Sequence, residues 1–112
     1  MTEDSLQAQI VKWFTNSYCL KTHQPRSIIF SIPNGGFRHK IEAMKLKATG
    51  MLSGVSDLIV IHKGIVYFCE LKTDSGRLSQ AQVDFNLRLN ENGQIQKTFR
   101  SLLEFQEFIV SL

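Results

Sequence analysis

Apolar residues recur at helical spacing near the start of the chain, at Leu6, Ile10, Trp13 and Phe14, and predict an amphipathic helix from Glu3 to about Leu20. His23-Gln24-Pro25 breaks it, because proline disfavours helix in the residue before it. Ser27 to Ile32 is a short apolar strand, stopped by the turn signal Pro33-Asn34-Gly35-Gly36. Arg38 to Ala48 reads as a helix rich in Lys and Arg, ended at Gly50. Two strands follow, Asp57 to Ile61 and Ile65 to Lys72, around a turn at Lys63-Gly64. Ser79 to about Asn90 is helical and Gln94 to Phe99 is a strand. Leu102 to Val110 closes as a helix with Leu102, Phe105, Phe108 and Ile109 inward. The predicted order is αβαββαβα, an α/β chain with one mixed sheet flanked by helices and no repeats, linkers or low-complexity segments.

Composition narrows the setting without choosing a function. The chain has 112 residues, room for one domain spanning 1–112, and its 43% hydrophobic content is that of a globular protein. No apolar run approaches the roughly 20 residues of a membrane helix. The first residues, Met1-Thr2-Glu3-Asp4, are acidic where a signal peptide is basic, so an intracellular, cytoplasmic setting is expected. Cys19 and Cys69 are too few and too far apart for a disulfide framework or zinc site, and Cys69 is expected to be buried in its strand. His23, His39 and His62 share no metal-ligand spacing and are expected to be exposed. A formal charge of +3 is compatible with a polyanionic partner and selects none.

The two central strands concentrate the chemistry. With a two-residue turn at Lys63-Gly64, His62 pairs with Ile65, and the register runs back to Asp57 opposite Glu70. Directly opposed Cβ atoms lie about 4.5–5.5 Å apart. Strand alternation places Glu70 and Lys72 on one face and Leu71 on the other. Two facing carboxylates repel unless a divalent cation sits between them. An oxygen-rich site with few carboxylates suits magnesium, with manganese as a substitute, and such an ion activates water and neutralises phosphate charge. An isolated Glu-x-Lys reads first as a surface ion pair of little energetic consequence; the Asp at one strand start, the Glu-x-Lys on the next strand and the flanking apolar runs together favour the metal site.

The ordered set of residues adds to this. Gly54-Val55-Ser56-Asp57, Glu70-Leu71-Lys72, Gly76-Arg77-Leu78-Ser79 and Gln82, with Asn34-Gly35-Gly36 and Glu3 and Gln7 upstream, resembles the VRR-NUC family of PD-(D/E)xK nucleases. The resemblance covers nearly the whole chain, with Ser56 standing where the family's name-giving proline would be. It implies a restriction-endonuclease-like fold and a metal held by Asp57, Glu70 and the backbone carbonyl of Leu71. Lys72 would position water and stabilise charge. Glu3 would hold a metal-bound water or a second metal, and Gln82 would hold Lys72 or the phosphate.

Some of these residues have other uses. Glu3 sits in a first helical turn, where the macrodipole favours any acid. Ser79-Gln80-Ala81-Gln82 fits a capping box. Asn34 belongs to a turn that could also touch DNA. Arg38, Lys40, Lys45 and Lys47 crowd one segment, either as a solvated helix face or as a phosphate-tracking surface, and Arg77 is a second DNA-binding candidate.

The resemblance to stand-alone members implies a structure-selective DNA endonuclease that resolves four-way (Holliday) junctions in replication and repair, as a homodimer. Flap nuclease, exonuclease and restriction-type activities are the enzymatic alternatives. A catalytically silent DNA-binding module is the rival from another class.

Overall fold

Thr2 starts the first helix: its side-chain oxygen accepts from the Ser5 backbone N–H at 3.0 Å, and Glu3 and Asp4 fill the positive first turn. This helix, α1 (Glu3–Tyr18), buries Leu6, Ile10 and Phe14, one residue per turn on one face. The computed structural model describes residues 1–33 and 40–112, except the side chains of residues 40, 41 and 43. The elements that follow are β1 (Ile28–Ser31), α2 (Lys40–Ala48), β2 (Leu58–His62), β3 (Ile65–Leu71), α3 (Gln80–Glu91), β4 (Ile95–Phe99) and α4 (Leu102–Val110). The order αβαββαβα is the one expected from the sequence. Ends differ by a residue or two: β1 is shorter, β2 runs on to His62, and β3 stops at Leu71, where the ladder ends.

The strands lie in the order β1-β2-β3-β4, with β1/β2 and β2/β3 antiparallel and β3/β4 parallel. The central hairpin turns on Lys63 and Gly64, both at positive φ (51° and 79°). Such a pair matches the right-handed twist of the flanking strands. It pairs His62 with Ile65 and Leu58 with Cys69, the expected register. The parallel β3/β4 pair needs a crossover, and α3 supplies it, so this helix begins beside the end of β3 that carries Glu70.

Alternation along β3 divides the molecule. Tyr67, Cys69 and Leu71 point into the core, where they join Leu58 and Val60, Phe99, Leu6, Ile10 and Phe14 of α1, and Phe105 and Ile109 of α4. Edge-to-face rings knit this layer, with Phe105 at 5.9 Å from Phe14 and 5.2 Å from Phe99. Truncating a ring at this centre, as in Phe105→Ala, is of the kind that costs about 3–5 kcal/mol. Phe68 and Glu70 point to the opposite face, which α3 covers: the Phe68 and Phe85 rings meet at 6.5 Å. Trp13 and Phe108, whose helical spacing is compatible with either a dimer interface or the core, pack against the core.

Cys69 is buried as expected, and burial pushes its thiol up to about 12, so it is an inert packing group. His62 is not exposed. It is 5% accessible, packs edge-on against Phe14 and Tyr18, and its Nδ1 lies 2.7 Å from Ser27 Oγ. His23 is half-buried, and its Nδ1 accepts from the Leu20 N–H. His39 lies outside the described residues. Metal-ligand spacing says nothing about burial, and His62 follows the inward-facing Val60 of β2 by two, which places it on the core face.

Candidate active site

Asp57 enters the sheet just before β2. Its N–H donates to the Cys69 carbonyl at 3.1 Å and its own carbonyl accepts from Ile32, so the backbone is held from both sides. The ladder itself ends at Leu58–Cys69. Asp57 and Glu70 therefore meet through their side chains and not as a ladder pair. Asp57 Oδ2 accepts from the Leu71 N–H at 2.7 Å, which turns its carboxylate toward the end of β3.

Glu70 is 1% accessible. Burial is the largest cause that pushes its carboxyl up to about 8, followed by a hydrogen bond shared with the Asp57 carboxyl and the charge of Asp57; Lys72 opposes these, and Glu3 adds to them. One oxygen, Oε1, accepts from Gln82 Nε2 at 2.9 Å. The other, Oε2, is buried and meets no donor group among the described residues. A carboxylate in this position can be neutral, can share a proton with Asp57, or can face a cation. Water cannot solvate it freely.

Gln82 serves two expectations at once. The capping box is present: Ser79 Oγ accepts from the Gln82 N–H at 3.2 Å, and Gln82 Oε1 accepts from the Ser79 N–H at 2.8 Å. The same amide's Nε2 is the donor to Glu70. Gln82 therefore holds Glu70, not Lys72. The loop before Asp57 closes against this helix start through Gly54. At φ +80°, a Cβ on Gly54 would lie 2.2 Å from the Ala81 carbonyl oxygen and 2.7 Å from the Gln82 nitrogen. Glycine is required here both for the left-handed backbone and for the close approach.

Lys72 follows β3, with its N–H bonded to the Phe99 carbonyl at 3.1 Å, and is half-buried. Its charge reaches Glu70. Glu3 is exposed at the start of α1, near enough for its charge to act on Glu70. It does not complete a cage: among the described residues, no three His, Cys, Asp or Glu side chains gather to hold a metal ion by themselves. The two carboxylates remain as oxygen donors of the kind that fits a hard divalent ion.

Among the DNA-binding candidates, Lys45 and Lys47 are exposed on α2, and Arg77 is exposed on the loop after Lys72. Asn34 and Arg38, and the side chain of Lys40, lie outside the described residues. Two further buried polar atoms, Ser56 Oγ and Asn86 Oδ1, have no partner among the described residues; Ser56 belongs to the Gly54-to-Asp57 run, whereas no sequence motif marks Asn86. Ser56 stands in the loop that delivers Asp57, and Asn86 lies one turn beyond Gln82 on α3.

No protein-family model and no curated protein matches the sequence. Solved structures do match its architecture, and they define its class: the chain has the α/β fold of VRR_NUC domain proteins. It is similar to a VRR_NUC domain protein with a TM-score of 0.75 and 21% identity, covering 100% of this chain and 90% of that one. It is also similar to a VRR_NUC domain with a TM-score of 0.63 and 18% identity, covering 96% and 92%. Among the described residues, no helix is long and apolar enough to cross a membrane.

Proposed function

We propose that this chain is a nuclease of the PD-(D/E)xK type, a divalent-metal-dependent endonuclease acting on branched DNA. The observation that carries the proposal is the buried Glu70 carboxyl set against Asp57, with one oxygen left without a donor among the described residues. A fold with no use for this pair would be better served by an apolar or amide residue at position 70. An inert DNA-binding module gives no reason to keep it.

Asp57, Glu70 and the Leu71 carbonyl would hold Mg2+, with Mn2+ as a substitute. When bound, the ion supplies charge neutralisation at the scissile phosphate and a more acidic water. The chain's own groups do the rest. The Leu71 N–H and the Gln82 amide each occupy one carboxylate oxygen and so fix how the other is presented. Lys72 offers a cation to the phosphate and the attacking water. Glu3, whose charge reaches Glu70, orients water from the α1 side.

The preference for four-way junctions and the two-fold homodimer rest on size. A small domain with one site and no base-reading motif selects by shape, and cutting both related strands of a junction needs two sites on a two-fold axis.

The test is a cleavage panel of duplex, single strand, flap, three-way and four-way junction with Mg2+ or Mn2+, read beside light scattering for mass. Cleavage that is abolished in Asp57→Ala and Glu70→Ala, with DNA binding kept, is the expected result. Lys72→Ala should lose most activity while calorimetric titration with Mn2+ keeps its stoichiometry. Near-normal cleavage by either carboxylate variant removes the site assignment. A monomer that cuts linear duplex as fast as junction removes the junction reading and leaves a general nuclease.

A further inference from the structure

Arg100 lies one residue past β4, beside Lys72, because Phe99 is the register partner of Leu71 and its carbonyl accepts the Lys72 N–H. Its guanidinium reaches back across the sheet end. Nη1 donates to the Asp74 carbonyl at 3.0 Å and to the Gly76 carbonyl at 2.7 Å, spanning the loop that follows Lys72. That loop is tight. Gly76 N–H bonds to the Thr73 carbonyl at 2.7 Å, Asp74 takes a positive φ of 36°, and a Cβ on Gly76 would lie 3.6 Å from Lys72 Cδ. Arg100 thus braces the turn against which the Lys72 stem packs, and the same turn leads into the exposed Arg77.

Only one corner of the guanidinium is used. Both Nη1 protons go to carbonyls, while Nε and Nη2 have no partner among the described residues and the side chain is exposed. Among the same residues, no carboxylate pairs with the guanidinium. An arginine anchored at one nitrogen, with the remaining N–H edge presented at fixed angle, is pre-organised for a bidentate contact to a phosphate. Bracing the loop already orders the long side chain, so little further freedom is lost on binding.

We propose that Arg100 is a phosphate-binding residue, contacting the nucleic-acid backbone beside the scissile position through its Nε/Nη2 edge while Nη1 holds the 73–77 loop. This deepens the nuclease reading and rests on it for the identity of the ligand as DNA.

The experiment separates the two. Binding of a fluorescein-labelled 30-base-pair duplex and a four-way junction is measured in EDTA, so that no cleavage is needed, as a function of salt. Arg100→Gln should bind about five- to tenfold more weakly at 0.1 M salt, and on duplex its log K against log salt slope should be shallower by about 0.9, one phosphate's worth. Arg100→Lys keeps the charge but has a single nitrogen, with no second N–H edge to hold the loop and meet a phosphate together, and should restore the slope. Arg88→Gln, which removes the same charge near the far end of α3, should leave the slope unchanged.

A wild-type slope in Arg100→Gln overturns the proposal and leaves Arg100 as loop support, as does an equal fall in Arg88→Gln. Failure of Arg100→Lys to recover the slope also overturns it, and this comparison stands even if the glutamine variant folds poorly. Wild-type protein that cleaves nothing while the Arg100 slope change persists defeats the nuclease reading and not this one. Wild type that binds no DNA defeats both.

Discussion

Replacing Gly54 by alanine tests how tightly the loop carrying Asp57 is fitted to α3. Two costs arise at once. The backbone sits at φ +80°, where an L side chain costs roughly 1–2 kcal/mol. The new methyl would fall 2.2 Å from the Ala81 carbonyl oxygen and 2.3 Å from its carbon, which are backbone atoms that no rotamer change can move. Relieving such overpacking typically costs a further 1–3 kcal/mol. The sum is about 2–5 kcal/mol, out of the roughly 6–17 kcal/mol expected for a domain of this length.

Gly93 and Gly64 supply internal controls. Their φ values are +71° and +79°, and a methyl group added at either would meet no described atom within 4 Å, so alanine there incurs the backbone cost alone. Urea unfolding of the three variants, analysed at a common m-value, gives the difference directly. Gly54→Ala should lose at least about 1 kcal/mol more than Gly93→Ala. It should also lower cleavage, because the displaced atoms include the nitrogen of Gln82, whose amide holds Glu70. Equal destabilisation by Gly54→Ala and Gly93→Ala would refute the close-approach argument.

Three other outcomes follow from the same geometry. Without metal, the folded protein holds the Glu70 proton to about pH 8 whereas the unfolded chain releases it near 4.5. The stability contributed there is therefore fully present below 4.5 and is lost as pH rises toward 8; Glu70→Gln should flatten this fall in urea midpoints, and adding Mn2+ should reverse it for the wild type alone. Burial and then the charge of Lys63 hold His62 below its ordinary range, so stability contributed there is present above about 6.5 and declines as pH falls, and His62→Phe should remove that acid-side decline in thermal melts. Ser27→Ala strips the buried imidazole of its partner and should cost about 1–2 kcal/mol in chemical unfolding, more than a surface serine such as Ser53.

Much of this architecture is legible in the sequence. Helical spacing locates α1 and α4, because each buries one face and its sequence must repeat with the element. The segment of α2 shows no buried residue among those described and is legible only from its basic run and the stop at Gly50. Lys63-Gly64 sets the hairpin register, since a two-residue turn leaves no slack. The neighbourhood of Asp57, Glu70 and Lys72 follows from that register and from alternation. Less local features are not legible. Gln82 can be read as a cap or as a site residue, and nothing in a linear pattern says that one amide can do both with its two ends. Arg100 carries no motif, because its partners are carbonyls, which every residue has. His62 looks like a polar strand end; that Ser27 faces it depends on β1 pairing with β2 across a long intervening segment.

The shared use of Gln82 has a consequence for motion. First turns of helices open and close more readily than their middles. In α3 the side chain that closes the first turn is also the donor to the buried Glu70 carboxyl. Fraying of that turn and loss of the Glu70 donor are thus a single event, and the fraction of time the cap is open is the fraction for which the carboxyl lacks its amide. Hydrogen exchange at the Ser79 and Gln82 N–H groups, both closed by the cap, reports that fraction in the intact protein. A ligand that ties down Glu70 should slow exchange at both positions, some distance along the chain from any atom it touches.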